Sequence, residues 1–246
     1  MVILAAIAKI TWLTFSFVFM DYELIEYLSD CLTPERKDLF ERVIQQRTRY
    51  LTVVLEDIFQ PQNASAVLRS VDCFGLQDVH VVENRNEFTV DREVAMGASK
   101  WLSVTKYKAQ ENNSLDAIRR LRKEGYRIVA TTPHEGDTNL ADFDLQKGKT
   151  ALFFGTELTG ISDVVKNEAD EFLKIPMHGF TESFNISVSA AIILHHLTLV
   201  MRGDSSINWK LTDEEQATIK LSWIRRTLKR SELLEQRYNE LKKEKK

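Results

Sequence analysis

The chain has 246 residues, 43% hydrophobic and 28% charged, ordinary globular values that exclude a disordered or low-complexity scaffold. Its two cysteines, Cys31 and Cys73, are too few for a disulfide framework and lack the spacing of a metal or redox site, which fits a reducing compartment and predicts a cytoplasmic protein. The net charge of −3 argues against a uniformly basic nucleic-acid binder and leaves local patches open.

The charge is unevenly spread. From Lys220 to Lys246 ten Lys/Arg stand against four Glu, a local +6 that leaves −9 on the rest of a chain totalling −3. A basic C-terminal arm on an acidic body points to a polyanionic partner; a solvated charged helix is the plain alternative. At the other end, Met1–Met20 (MVILAAIAKITWLTFSFVFM) is about long enough to span a bilayer. Lys9 interrupts that run, however, and the acidic flank of Asp21, Glu23 and Glu26 supplies no basic anchor. Residues 1–19 are therefore expected to lie outside the native chain, with translation starting at Met20, rather than to form a membrane anchor.

Residues 21–47 predict two helices, the second N-capped by Thr33 with Pro34 at its first position. Leu51–Leu55 is a short apolar, β-branched run that reads as a buried strand. Asn63–Phe74 carries apolar residues at Ala64, Val67, Leu68 and Val71, a helical spacing that Gly75 stops. Strands are expected at Val79–Val82 and Leu102–Val104, then a helix marked by Leu115, Ile118 and Leu121 and ended by Gly125. Further strands follow at Tyr126–Thr131, Thr150–Phe154 and Phe172–Ile175, and a long helix from about Ser187 to Met201. This alternation predicts an α/β fold, a mostly parallel sheet with helices on both faces. After the polar break Gly203–Ser206, Thr212 and Glu215 form a capping box that opens a last helical region. The expected organisation is an apolar segment 1–19, an N-terminal helical extension 20–49, a main domain 50–203 and a basic helical extension 204–246.

Several familiar signatures are absent. Gly148-Lys149-Thr150 lacks the upstream glycine of a phosphate loop and precedes a strand, and neither a GxGxxG nor a G-x-S-x-G occurs. The five histidines show no metal-ligand spacing, so no metal is expected. Three polar, glycine-containing clusters remain at predicted strand ends, where open α/β sheets bind ligands: Asp57–Ser70, Phe153–Ser162 and Ile175–Ala191. Singly each has a plain reading. Asn63 is a candidate N-cap and Arg69 a surface residue; Gly155 and Gly160 suit turns; Ser183, Asn185 and Ser187 suit helix caps.

Together they carry more. N-x-x-x-x-x-R at Asn63 and Arg69, G-x-E at Gly155-Thr156-Glu157, and I-P-M at Ile175–Met177 followed by S-x-N-x-S at Ser183–Ser187 resemble, in order and spacing, three signature motifs. These belong to the SpoU (TrmH-type) branch of the SPOUT RNA methyltransferases, and the resemblance covers roughly residues 50–203. It implies a C-terminal trefoil knot, a homodimer, and S-adenosylmethionine-dependent 2′-O-methylation of an RNA ribose.

Carried over by motif, Arg69, Asn63, Glu157, Ser183 and Asn185 form the catalytic set. Thr131, Gly155, Ile175 and Phe184 hold the cofactor, Phe184 standing where relatives usually carry an aliphatic residue. Arg69 is expected to hold a phosphate and stabilise a developing alkoxide, because a guanidinium normally stays protonated. Arg47, Arg49, Arg225, Arg226, Lys229 and Arg230 are expected to contact RNA phosphates. The short helical extensions are similar to those of enzymes that methylate the D-loop guanosine at position 18 of tRNA. Ribosomal RNA is the alternative substrate, and a catalytically silent RNA-binding protein the alternative class.

Overall fold

The computed structural model describes residues 22–133, 137–156 and 159–244, Arg92 by its backbone alone. The apolar segment 1–19 and the expected start at Met20 lie outside the described residues. The chain forms two compact units, one of Gln45–Leu211 and one of the segments up to Ile44 and from Thr212 onward. In chain order, α1 (Tyr22–Ser29) and α2 (Pro34–Ile44) belong to the smaller unit. The larger unit follows with β1 (Leu51–Glu56), α3 (Pro61–Cys73), β2 (Asp78–Val82), α4 (Arg92–Ala95), β3 (Ser103–Tyr107), α5 (Asn113–Lys123) and β4 (Arg127–Thr131). It continues with β5 (Thr138–Asn139), β6 (Thr150–Phe154), α6 (Asp163–Glu168), β7 (Glu171–Lys174) and α7 (Ile186–Gly203), after which α8 (Asp213–Thr227) and α9 (Ser231–Glu244) return to the smaller unit.

The strands pair in parallel throughout, in the order β3-β2-β1-β6-β4-β7-β5. Successive side chains of a strand point to opposite faces, and the apolar residues divide accordingly. Leu51, Val53, Leu55, Leu152 and Phe154 join Val67, Leu68 and Val71 of α3 and Ile193, Leu194 and Leu197 of α7 in one core. Val54, Ala151 and Phe153 join Ala117, Ile118 and Leu121 of α5 and Val165 of α6 in the other. Both faces are covered, as the alternation of elements predicts.

Local chemistry sets the element ends. Gly75, at φ +82°, lets the Leu76 N–H reach the Val71 carbonyl (3.1 Å) and its own N–H reach that of Asp72 (3.1 Å), the paired bonds that close a helix through a left-handed residue. α3 begins earlier than the periodicity predicts, with Pro61 in its first turn and Gln60 as N-cap. Asn63 therefore lies inside the first turn instead of capping it. The short α4, α6 and β5 were too brief to leave a periodic signal. The last helical region divides in two at Leu228–Arg230, where Arg230 takes φ 61°.

The larger unit reaches past residues 50 and 203 because Thr48 bridges both Leu76 and Lys210, its hydroxyl donating to the Trp209 carbonyl (2.6 Å). In the smaller unit Phe40 packs on Trp223 (ring centroids 5.5 Å apart) and Tyr27 on Tyr238 (5.4 Å). The predicted capping box of α8 is formed, with Thr212 and Glu215 exchanging bonds of 2.9 and 3.2 Å.

Two of the residues expected to contact RNA are engaged within the fold. Arg47 is only 3% exposed; its guanidinium donates to the Leu76 carbonyl (2.9 Å) and to Asp72, tying the chain before β1 to the end of α3. Arg49 is half-buried and pairs with Asp78 (2.9 Å). Both stand at the amino edge of the sheet, roughly 16 Å of strand from the edge where ligands bind, and both are engaged. Arg47→Ala is expected to cost about 3 kcal/mol of folding free energy, the low end for a broken buried pair because Asp72 is partly exposed; urea titration reads it.

His80 on β2 is buried, its Nδ1 3.0 Å from the Tyr107 hydroxyl, and burial holds its pKa down at about 4. In the unfolded chain it takes a proton at about pH 6.5, so below that pH the unfolded state binds more protons. Stability is then full above pH 6.5 and falls toward pH 4, by about 3 kcal/mol from this group. Urea titrations at pH 7 and pH 4 are expected to show that loss in the wild type and a smaller one in His80→Gln.

Candidate active site

In a parallel sheet all strand carboxyl ends meet at one edge, and the loops there enclose ligands. A cavity of about 460 Å³ opens at that edge between the ends of β4, β6 and β7 and the start of α7. Thr131 and Thr132 line it from β4, Phe154, Gly155 and Thr156 from β6, with Thr159 and Gly160 beyond. Ile175 and Met177 line it after β7, and Ser183, Phe184 and Asn185 before α7. Six residues singled out in the sequence thus share one cavity: Thr131, Gly155, Ile175, Ser183, Phe184 and Asn185. Phe184 is 43% exposed and keeps part of its ring in solvent.

The walls are held from below. The Thr131 hydroxyl donates to the Phe153 carbonyl (2.8 Å), and the Thr132 N–H to that of Leu173 (3.0 Å), so the chain leaving β4 is fastened to β6 and β7. Gly155 is required for a steric reason. A Cβ there would lie 2.2 Å from the Gly160 carbonyl carbon and oxygen and 2.3 Å from the Ile161 nitrogen. That approach lets Thr156 and Gly160 exchange two backbone hydrogen bonds of 3.0 Å.

The first and third clusters meet through their asparagines. Asn185 caps α7, its Oδ1 accepting from the Ser187 N–H (2.8 Å) and hydroxyl (2.6 Å). Its Nδ2 donates to Oδ1 of Asn63 (3.1 Å), across 122 positions of sequence. Asn63 is buried and donates in turn to Gln60 Oε1 (3.1 Å). Each amide is thereby oriented by its neighbours.

Other predicted residues stand apart from the cavity. Arg69 is exposed on α3, outside the cavity lining, and none of the described residues pairs with its guanidinium. Glu157 lies outside the described residues. Arg225, Arg226, Lys229 and Arg230 are exposed in the smaller unit, where Arg225 makes a two-pronged pair with Glu235 (2.7 and 2.9 Å). Thr132, Thr156, Thr159 and Met177 were not singled out as cofactor-contacting residues; the available signal was only their place beside strand ends.

Residues 50–195 match the SpoU rRNA Methylase family. The chain belongs to the SpoU rRNA methylase family. This SpoU methylase is 44% identical over 215 residues to the tRNA (guanosine(18)-2′-O)-methyltransferase of Borreliella burgdorferi, covering 87% of the chain and 96% of that protein. It is 35% identical over 162 residues to the enzyme of the same name from Thermus thermophilus, covering 66% and 81%. Among solved structures it resembles the A. aeolicus TrmH/SpoU tRNA modifying enzyme, with a TM-score of 0.70 and 25% identity over 79% of this chain and 98% of that one. The matched span contains both amides of the Asn63–Asn185 bond and every residue singled out around the cavity.

Steric demand separates the two glycines of this SpoU methylase. Gly155→Ala is expected to cost about 3 kcal/mol or to prevent folding, since the displaced atoms are backbone. Gly160→Ala, facing open space at φ +67°, is expected to cost about 1 kcal/mol. Urea midpoints of the two variants measure the difference.

Proposed function

We propose that the protein transfers a methyl group from S-adenosylmethionine to a ribose 2′-hydroxyl of tRNA, with the D-loop guanosine at position 18 as target. The observation that carries the reading is that the second and third sequence clusters line one cavity and that the first is joined to its rim by the Asn63–Asn185 hydrogen bond. Its volume of about 460 Å³ suits a nucleoside-sized ligand. Apolar Leu173, Ile175 and Ile193 and hydroxyls of Thr131, Thr132 and Thr156 line it, a mixed surface fitted to a base and a polar tail. The substrate assignment draws on the names of the relatives above.

When bound, S-adenosylmethionine supplies an electrophilic methyl carbon on a sulfonium. Thr131, Gly155, Ile175 and Phe184 hold it, largely through main-chain groups at the strand ends. Arg69 holds a neighbouring phosphate and stabilises the alkoxide as the 2′-hydroxyl gives up its proton. Its guanidinium has no partner among the described residues to surrender first. Asn63 and Asn185 keep the first turn of α3 in register with the start of α7, and Ser183 and Glu157 complete the set. S-adenosylmethionine held there would supply its methyl carbon to the 2′-oxygen and leave as S-adenosylhomocysteine, the hydroxyl proton passing to water.

The same reading includes a trefoil knot, a homodimer and a place in the cytoplasm. For the knot, the support is the insertion of β6 between β1 and β4 and the packing of α7 against α3. For the dimer, it is the exposed strip of Val188, Leu199 and Val200 on α7, an apolar surface that a second copy would cover. α7 is long and apolar enough to cross a membrane, with a mean hydropathy of 1.4, but its opposite face is packed into the core through Ile193, Leu194 and Leu197. The two cysteines are free, as a reducing compartment keeps them. RNA phosphates are met by Arg225, Arg226, Lys229 and Arg230.

Incubation of tRNA and ribosomal RNA with methyl-labelled S-adenosylmethionine, followed by mapping, tests the proposal. Label is expected on the ribose of guanosine 18 in tRNA and not in a tRNA carrying 2′-deoxyguanosine there. Label confined to ribosomal RNA, or in neither pool, overturns it. Arg69→Lys keeps the charge and loses the planar fork, and kcat is expected to fall about a hundredfold.

A further inference from the structure

The cavity wall formed by Thr156, Thr159 and Gly160 rests on a carboxylate outside the roles assigned above. Glu56, the last residue of β1, is 2% exposed. Its Oε2 accepts from the Ser162 N–H (2.9 Å) and its Oε1 from the Ser162 hydroxyl (2.7 Å) and the Ser114 hydroxyl. The Ser162 hydroxyl in turn accepts from the Val165 N–H (3.3 Å), capping α6. Before Ser162 comes Ile161, buried in the core with Val54 and Val165, and before that Gly160, bonded back to Thr156. Two residues of anchored chain thus separate the carboxylate from the cavity.

A packing role alone does not call for this residue. Every other position of β1 from Leu51 to Leu55 is buried and neutral, and an apolar side chain at 56 would avoid the desolvation of a carboxylate. What an apolar side chain lacks is a pair of oxygens that seize the N–H and the hydroxyl of one serine. We propose that Glu56 is a positioning residue, whose grip on Ser162 sets the Thr159–Gly160 wall at the depth S-adenosylmethionine requires. The inference rests on the reading of the cavity given above.

The neighbouring Asp57 is the natural control. It too is buried, but it grips the Asn84 and Arg85 N–H groups (2.7 and 2.8 Å) and reaches Glu56 only indirectly, through the Asn84 amide and the Ser114 hydroxyl; its φ of 53° is one that Asn tolerates well. Calorimetric titration of S-adenosylmethionine into the full chain, alongside thermal melts, separates positioning from stability. Glu56→Gln leaves one acceptor where the carboxylate offers two, so it cannot accept from the Ser162 N–H and from both serine hydroxyls in the native arrangement, and its Kd is expected to rise about tenfold. Ser162→Ala keeps the N–H bond and is expected to raise Kd about threefold. Asp57→Asn leaves both Ser162 bonds to Glu56 in place and is expected to keep Kd within about twofold even where it lowers Tm.

A folded Glu56→Gln that binds as tightly as the wild type overturns the proposal, as does an Asp57→Asn that loses as much affinity. Should Glu56→Gln fail to fold, Ser162→Ala decides by the same criterion. A wild-type chain that binds no S-adenosylmethionine overturns the reading of the cavity and this inference with it. Wild-type binding with unaffected variants removes the positioning role alone.

Discussion

A backbone contact too close for a methyl group governs this site. At the end of β6 the chain turns and comes back against Gly155 so tightly that any other residue would drive a carbon into the Gly160 carbonyl. β6 lies between β1 and β4, in register with both, and the returning segment inherits that position. The two bonds between Thr156 and Gly160 close the turn, Ile161 enters the core below it, and Ser162 arrives where it caps α6. The cavity wall is therefore an extension of the sheet, fixed to it by this close approach, and a fixed wall is what a site that aligns two reactants needs.

Asn185 shows why a structural and a functional reading of one residue need not compete. As N-cap of α7 it satisfies the Ser187 N–H with its carbonyl oxygen, the ordinary duty of an asparagine in that place. Because the oxygen is committed to the cap, the amide nitrogen has to face the other way, and there it meets Asn63. The cap selects the orientation, and the orientation joins two motifs. A serine in the same position would cap α7 as well but would carry no second group to reach α3.

The sheet was legible because burial on both faces leaves runs such as Thr150–Phe154 without a polar interruption, and helix stops were legible because Gly75 has a stereochemical reason to be there. Elements such as Asp163–Glu168 escaped because six residues hold too few turns to display a period. The cavity's position at strand ends follows from topology, but the pairing of Asn63 with Asn185 does not; only the resemblance brought those clusters together. Glu56 was passed over as the polar end of an apolar run. Nothing in LTVVLED announces that its carboxylate will receive a serine from 106 positions further on.

Charge was the least legible property, and the reason lies in desolvation. Arg47 and Arg49, close together before β1, resemble a basic patch on paper. In the fold one is sealed against Leu76 and Asp72 and the other leans on Asp78. Removing such a cation from its partner would strand a buried carboxylate or carbonyl, so it is not free to be traded for a phosphate. The smaller unit behaves differently. Lys220 with Glu41 (2.6 Å), Arg225 with Glu235 (2.7 Å) and Lys242 with Glu23 (3.5 Å) are pairs at or near the surface, where water already screens most of the attraction. Exchanging a carboxylate for a phosphate there costs little. A Lys or Arg counted in the sequence thus carries one of two meanings: Arg47 and Arg49 are cohesion, whereas exposed Arg69 and the surface pairs of the smaller unit leave charge within reach of solvent.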